Sequence, residues 1–138
     1  MTEIQIAGQN YRIGRLDAMS SFHVARRLVP VMSAMGVSVV KIVAEQGPDG
    51  KLTEADLLAI MEPVMGVVAK MSNEDVEFVI MTSLQVVQRK QGDLWARIMN
   101  GKSFQFQDIT MPQMIQLTVA VVKENLSDFF AVLPGAQT

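Results

Sequence analysis

The stretch of this sequence that comes nearest to a metal site is "EQGPDGKLTEAD", Glu45 to Asp56. Counted from Glu45, residues Gly50, Leu52 and Asp56 fall at the sixth, eighth and last places of the helix–loop–helix calcium template. That template needs a ring of oxygen ligands. Here the third place is Gly47, and the last is the shorter Asp where a bidentate Glu belongs. No calcium site follows, and Thr53 reads better as a helix cap. The single histidine, His23, has the intrinsic pKa of a general base, but no serine or cysteine arrangement points at it. One histidine does not build a typical metal site either, so His23 reads as a structural residue of the first helix. The carboxylates Glu54/Asp56 and Glu74/Asp75/Glu77 stand at helix starts, where negative charge suits the dipole. Glu124 and Asp128, four apart, read as solvated charge on one helix face. No catalytic residues, metal ligands or cofactor-binding residues emerge. The expectation is a protein that is not an enzyme and carries no cofactor.

The elements that hold these residues can be read from spacing. "EIQI" and "YRI" alternate polar and apolar around "AGQN", the pattern of a β-hairpin over residues 1–14. Asp17 caps a first helix over 17–45, whose apolar residues Phe22, Ala25, Leu28, Val29, Met32 and Met35 keep helical spacing; Pro30 must kink or split it near Val29. Gly47, Pro48 and Gly50 then break the chain. Thr53/Asp56, Ser72/Asp75 and Thr110/Gln113 share a capping-box grammar and open helices over 54–70, 74–90 and 111–131. "SFQFQDI", residues 103–109, alternates as a third short strand that can join the hairpin. Phe104 and Phe106 share one of its faces and close the core. Residues 132–138 read as a flexible tail. The expected fold is mainly α: a single domain of four or five helices with a small N-terminal hairpin.

Composition limits the function classes. The chain has 138 residues, 49% hydrophobic and 19% charged, with a net charge of −2. A soluble domain usually carries about 25% charged residues, so this surface is thinly charged. Basic residues are scattered, only Arg26-Arg27 and Arg89-Lys90 being adjacent, and no nucleic-acid partner is expected. With no cysteine, disulfides and thiolate chemistry are excluded. The N-terminus has no secretory pattern. The uncharged runs Leu28 to Val40 and Ile109 to Val122 fall short of the roughly 18 apolar residues of a spanning helix, so no membrane partner is expected. Eleven residues are methionine, a side chain that fills irregular cores and also suits adaptable binding surfaces. In "MPQMIQLTVAVVKENLSDFF", Met111 to Phe130, no clean polar face opens before Lys123 and Glu124. A helix that is apolar all round must be buried, in its own core or in a partner.

"YRIGRLDAMSSFHVARRLVPVM" (Tyr11 to Met32), the mid-chain "DGKLTEADL", and the later "LW", "FQDITMPQMIQL" and "ENLSDFF" resemble the tail assembly chaperones of long-tailed bacteriophages and prophages. The resemblance covers most of the chain and rests on structural motifs. It implies a small helical protein that acts in the host bacterial cytoplasm during assembly and is absent from the mature virion. Its implied partners are the tape-measure protein, whose apolar helices it would keep soluble, and the tail-tube protein, with self-association into many copies. The residues themselves leave two other readings open, a small structural tail-completion protein and a helical adaptor of the secretion-chaperone type. The partner-facing residues expected are Phe129, Phe130 and Leu133 near the chain end, with Met111 and Met114 at the start of the last helix. Replacing Phe129 and Phe130 together by Asp should weaken both self-association and client binding. Light-scattering mass and pull-down with the client check this, and if both properties survive, the assignment of that patch is wrong.

Overall fold

The computed structural model describes residues 2–30 and 58–131, with side chains up to residue 126 of the last helix. The first elements are the expected hairpin, β1 (Thr2–Ile6) and β2 (Gln9–Ile13). Ala7 and Gly8 form its turn at φ 51° and 81°. Two positive φ values match the twist of the flanking strands; glycine takes them freely, whereas alanine does so at a cost of about 1 kcal/mol. Helix α1 (Ala18–Leu28) follows, its Asp17 carboxylate accepting from the Ser20 amide at 2.7 Å. The chain tightens into a 3₁₀ turn at Val29 and Pro30, and the remainder of the helix expected to 45 lies outside the described residues. So does the Thr53 cap.

Helix α2 (Met61–Lys70) carries Pro63 in its first turn, where a missing N–H costs nothing. Helix α3 (Asn73–Leu84) starts where expected, with the Ser72 hydroxyl accepting from the Asp75 amide at 3.1 Å. It does not run to residue 90. The chain leaves the helix after Leu84 and becomes β3 (Val87–Gln91), which turns at Gly92 (φ 62°) into β4 (Leu94–Arg97). The two strands extend the hairpin into a four-stranded antiparallel sheet in the order β1-β2-β3-β4. The molecule is therefore a mixture of α and β, and the mainly α expectation is corrected by this second hairpin.

The third strand is corrected as well. Residues Ser103–Phe104 form β6, which pairs with β5 (Met99–Asn100) in a separate two-stranded ribbon and not with the N-terminal hairpin. The reason is geometric. Gly101 (φ 61°) closes a local turn, and the open edge of β2 is already taken by β3, with Tyr11 opposite Arg89 and Ile13 opposite Val87. At this junction Gly14 donates its amide to the Val86 carbonyl at 2.9 Å. A Cβ on Gly14 would meet that oxygen at 2.8 Å, so only glycine fits.

The last helix, α4 (Met111–Ala131), opens with a complete reciprocal box. Gln113 N–H donates to the Thr110 hydroxyl at 3.4 Å, and the Gln113 side-chain oxygen accepts from the Thr110 amide at 3.2 Å. No residue of α4 from Gln113 to Leu126 is exposed. Ile115, Leu117, Ala120 and Val121 join Ile4, Ile6, Tyr11, Ile13, Leu84, Val87 and Ile98 in the main core, while Leu126 packs with Val24, Ala25, Leu28 and Val79 between α1 and α3. Even Lys123 and Glu124 are buried. Glu124 is not solvated surface charge, since it accepts a 2.7 Å hydrogen bond from the Thr2 hydroxyl.

Asn125 ties the two ends of the described chain together. Its Oδ1 accepts from the Leu16 amide at 2.8 Å, and its Nδ2 donates to the carbonyls of Gly14 (3.2 Å) and Val121 (3.0 Å). These bonds satisfy the connection between β2 and α1, which has left the sheet and not yet entered the helix. Asn125→Ala should cost about 2 kcal/mol by stranding part-buried backbone groups, and Asn125→Asp nearly as much, because the donor is lost. Denaturant midpoints of the two variants and the parent check this.

Candidate functional site

Among the described residues, His23, Arg27 and Arg89 are engaged in contacts that hold the fold. His23 accepts through Nδ1 from Arg26 Nε at 3.3 Å and lies edge-on to Phe78, with ring centroids 6.3 Å apart. Arg27 stacks over Phe78 at 3.7 Å and pairs with Asp75 at 3.5 Å, tying α1 to the start of α3. Among the described residues no group of three or more His, Asp or Glu side chains could hold a metal ion. No helix among them is long and apolar enough to cross a membrane.

The strongest electrostatic feature is a structural clamp. Arg89 points inward from β3, its side chain only 8% exposed, and grips the Asp108 carboxylate in a bidentate pair at 2.9 and 3.0 Å. The guanidinium also lies 4.5 Å over the Phe106 ring. Together these contacts fasten the segment after β6 to the sheet. The hydrogen bonds from Arg89 hold the Asp108 carboxyl below the usual carboxylate range, and those to Asp108 raise Arg89 in turn. Burial pushes the Tyr11 hydroxyl up, with Arg89 opposing.

Among the described residues a groove runs along α3. Along α3 the residues Glu74, Glu77, Phe78, Met81, Thr82 and Gln85 recur at helical i, i+3, i+4 spacing and face outward. With the turn at Gly101 and Lys102 they line an open groove of about 570 Å³. A second hollow, about 310 Å³, adjoins it through Glu77 and Met81 and is lined by Val68, Val76, Ile80 and Met114. The floor is apolar and carries two methionines, and the rim carries Glu74, Glu77 and Lys102. A surface of this kind suits an amphipathic helix laid along it, since methionine repacks to fit different partners.

The expected partner-facing residues meet this site only in part. Met114 lines the groove, and Met111, one turn earlier, is 58% exposed. Phe129 and Phe130 lie on the last turn of α4, outside the described side chains, and Leu133 lies outside the described residues. Phe104 and Phe106 pack against the main core. Phe78 and Met81 were not assigned to a partner surface from sequence, and Glu77 was read there only as a helix-start charge. The available signal was the width of the apolar band in "NEDVEFVIMTSL", where Val76, Phe78, Val79, Ile80 and Met81 cover more than one face.

A family model described as "Phage tail assembly chaperone protein, TAC" matches residues 7–137, and the chain belongs to that family of phage assembly factors. Neither curated proteins nor solved structures returned a match.

The Arg89–Asp108 clamp sets a pH dependence. Because the folded-state pKa of Asp108 is depressed, its stabilisation is present above the unfolded value of about 4 and is lost as pH falls through the folded value. Asp108→Asn should lower the melting temperature at neutral pH and flatten its decline on acidification. Thermal melts of the two proteins across that range check this; parallel curves would show that the pair contributes nothing.

Proposed function

We propose that this chain binds apolar helical segments of the tape-measure protein along the α3 groove, keeps that client soluble, and presents it to tail-tube subunits during assembly. The observation that carries the reading is the outward apolar floor formed by Phe78, Met81 and Met114 in a member of the tail assembly chaperone family. A chaperone for a long helical client needs adaptable apolar surface and no chemistry of its own. A groove with methionine in its floor meets that need without demanding one client sequence. Exposed Met111 extends the apolar surface one turn beyond the groove, and the end of α4 with Phe129, Phe130 and Leu133 is the proposed contact for a neighbouring copy or for client. The protein acts in the host cytoplasm and leaves before the virion is complete.

Co-expression of the tagged chain with the long helical protein of the same phage should yield a soluble complex holding several copies of this chain, with the client insoluble alone. Met81→Gln, close to isosteric, and Met111→Asp, at an exposed position, should leave the fold intact and together weaken capture by about 30-fold, the loss expected for a central apolar contact. Pull-down and light-scattering mass measure both effects. A client equally soluble with and without this chain would refute the chaperone role; undiminished capture by the variants would refute the groove.

A further inference from the structure

The pleat of the sheet places two rows of side chains on the face opposite the core. Register pairs Glu3, Arg12, Gln88 and Arg97 in one row, and Lys90 and Trp95 in the next. The face thus carries three cations against one carboxylate, on a chain whose net charge is −2. Arg12 and Arg97 are held differently from Arg27 and Arg89. Arg27 and Arg89 each meet a carboxylate. Arg12 instead donates through Nε to the Gln88 side-chain oxygen at 2.9 Å and lies 4.7 Å over the Trp95 ring. Arg97 donates to the backbone and side-chain oxygens of Gln85 at 3.4 and 3.3 Å. Amide oxygens and an aromatic face orient a guanidinium without neutralising it. Lys90 is exposed. The described residues of this face therefore present a net positive charge, Glu3 opposite Arg12 offsetting one cation of the three, around the only tryptophan of the chain.

We propose that this outer face of the sheet docks an acidic segment of a partner protein, with carboxylates at Arg12, Lys90 and Arg97 and an apolar side chain against Trp95. The argument is charge complementarity, and it does not rest on the α3 groove or its client. A nucleic acid is the poorer occupant. Three cations neutralise too few phosphates, and the negative chain as a whole repels a polyanion. Pre-orientation of Arg12 by Gln88 and Trp95 reduces the ordering cost when a carboxylate arrives.

Because Trp95 is the sole tryptophan, its emission reports the site directly. The probes are a short peptide of Glu and Leu, its Gln-for-Glu counterpart, and a single-stranded oligonucleotide of similar length, each titrated into the full chain. The acidic peptide should bind saturably with a change in Trp95 emission, weaken as salt is raised, and outcompete the oligonucleotide; the Gln peptide should leave the emission unchanged. Arg12→Gln with Lys90→Gln should weaken binding by about tenfold, the effect of removing two complementary charges. Lys90→Gln alone, at an exposed position that cannot unfold the sheet, should account for part of that loss. Arg15→Gln with Lys70→Gln, which remove the same charge elsewhere, should not weaken it. The proposal is overturned if no saturable emission change occurs, if the oligonucleotide binds as well as the peptide, or if the two double variants lose affinity equally.

Discussion

Between Ile115 and Leu126 the last helix has no exposed residue, and the rest of the molecule is arranged to make that tolerable. A helix buried around its whole circumference must satisfy its polar side chains internally. Thr118 does so by donating back to the Met114 carbonyl at 2.9 Å. Glu124 accepts from Thr2 on β1, and Asn125 serves the junction between β2 and α1. The sheet and the start of α1 are thereby fixed against one central rod, and α3 packs against it through Ile80 and Leu84. Glu124 and Asn125 are the points at which β1 and the junction between β2 and α1 are attached to it.

The inward Arg89 is the second constraint. A cation placed on the core side of a sheet is tolerated only when paired and hydrogen-bonded. Asp108 provides the charge, and the aromatic rings of Phe106 and Tyr11 provide the wall. This pairing explains why the segment between β6 and α4 lies where it does despite having little regular structure. It also fixes the entry of α4, since Thr110 and its capping box follow Asp108 by two residues.

Much of the fold was legible in the sequence where local chemistry decides it. The first hairpin, the Asp17 and Ser72 caps and the Thr110–Gln113 box were read from residues that act on their near neighbours. The second hairpin was missed because its inward positions are Val87 and Arg89. An inward arginine destroys the apolar alternation that marks a strand, and "LQVVQRKQ" then reads as a continuing helix. Asp108, its charge partner, lies 19 residues away and cannot be inferred from spacing. The candidate site was less legible still. Met114 was expected to face a partner from an over-apolar helix, but the groove it lines depends on how α3 and α4 pack side by side, which spacing does not show. Trp95 and Arg12 meet across three strands, two of which were read as helix or not read at all.

The bond between Thr2 and Glu124 joins residues 122 positions apart, and this separation has a consequence for synthesis. A ribosome releases β1 and β2 first, and their hairpin is local enough to close at once. Its apolar face packs in one core with Leu84, Val87 and Ile98, and that core is completed only when the segment holding Ile115 to Leu126 has emerged. Until then the cover over Ile4, Ile6, Tyr11 and Ile13 is incomplete. A member of a chaperone family is thus, until α4 is made, short of cover for apolar surface of its own.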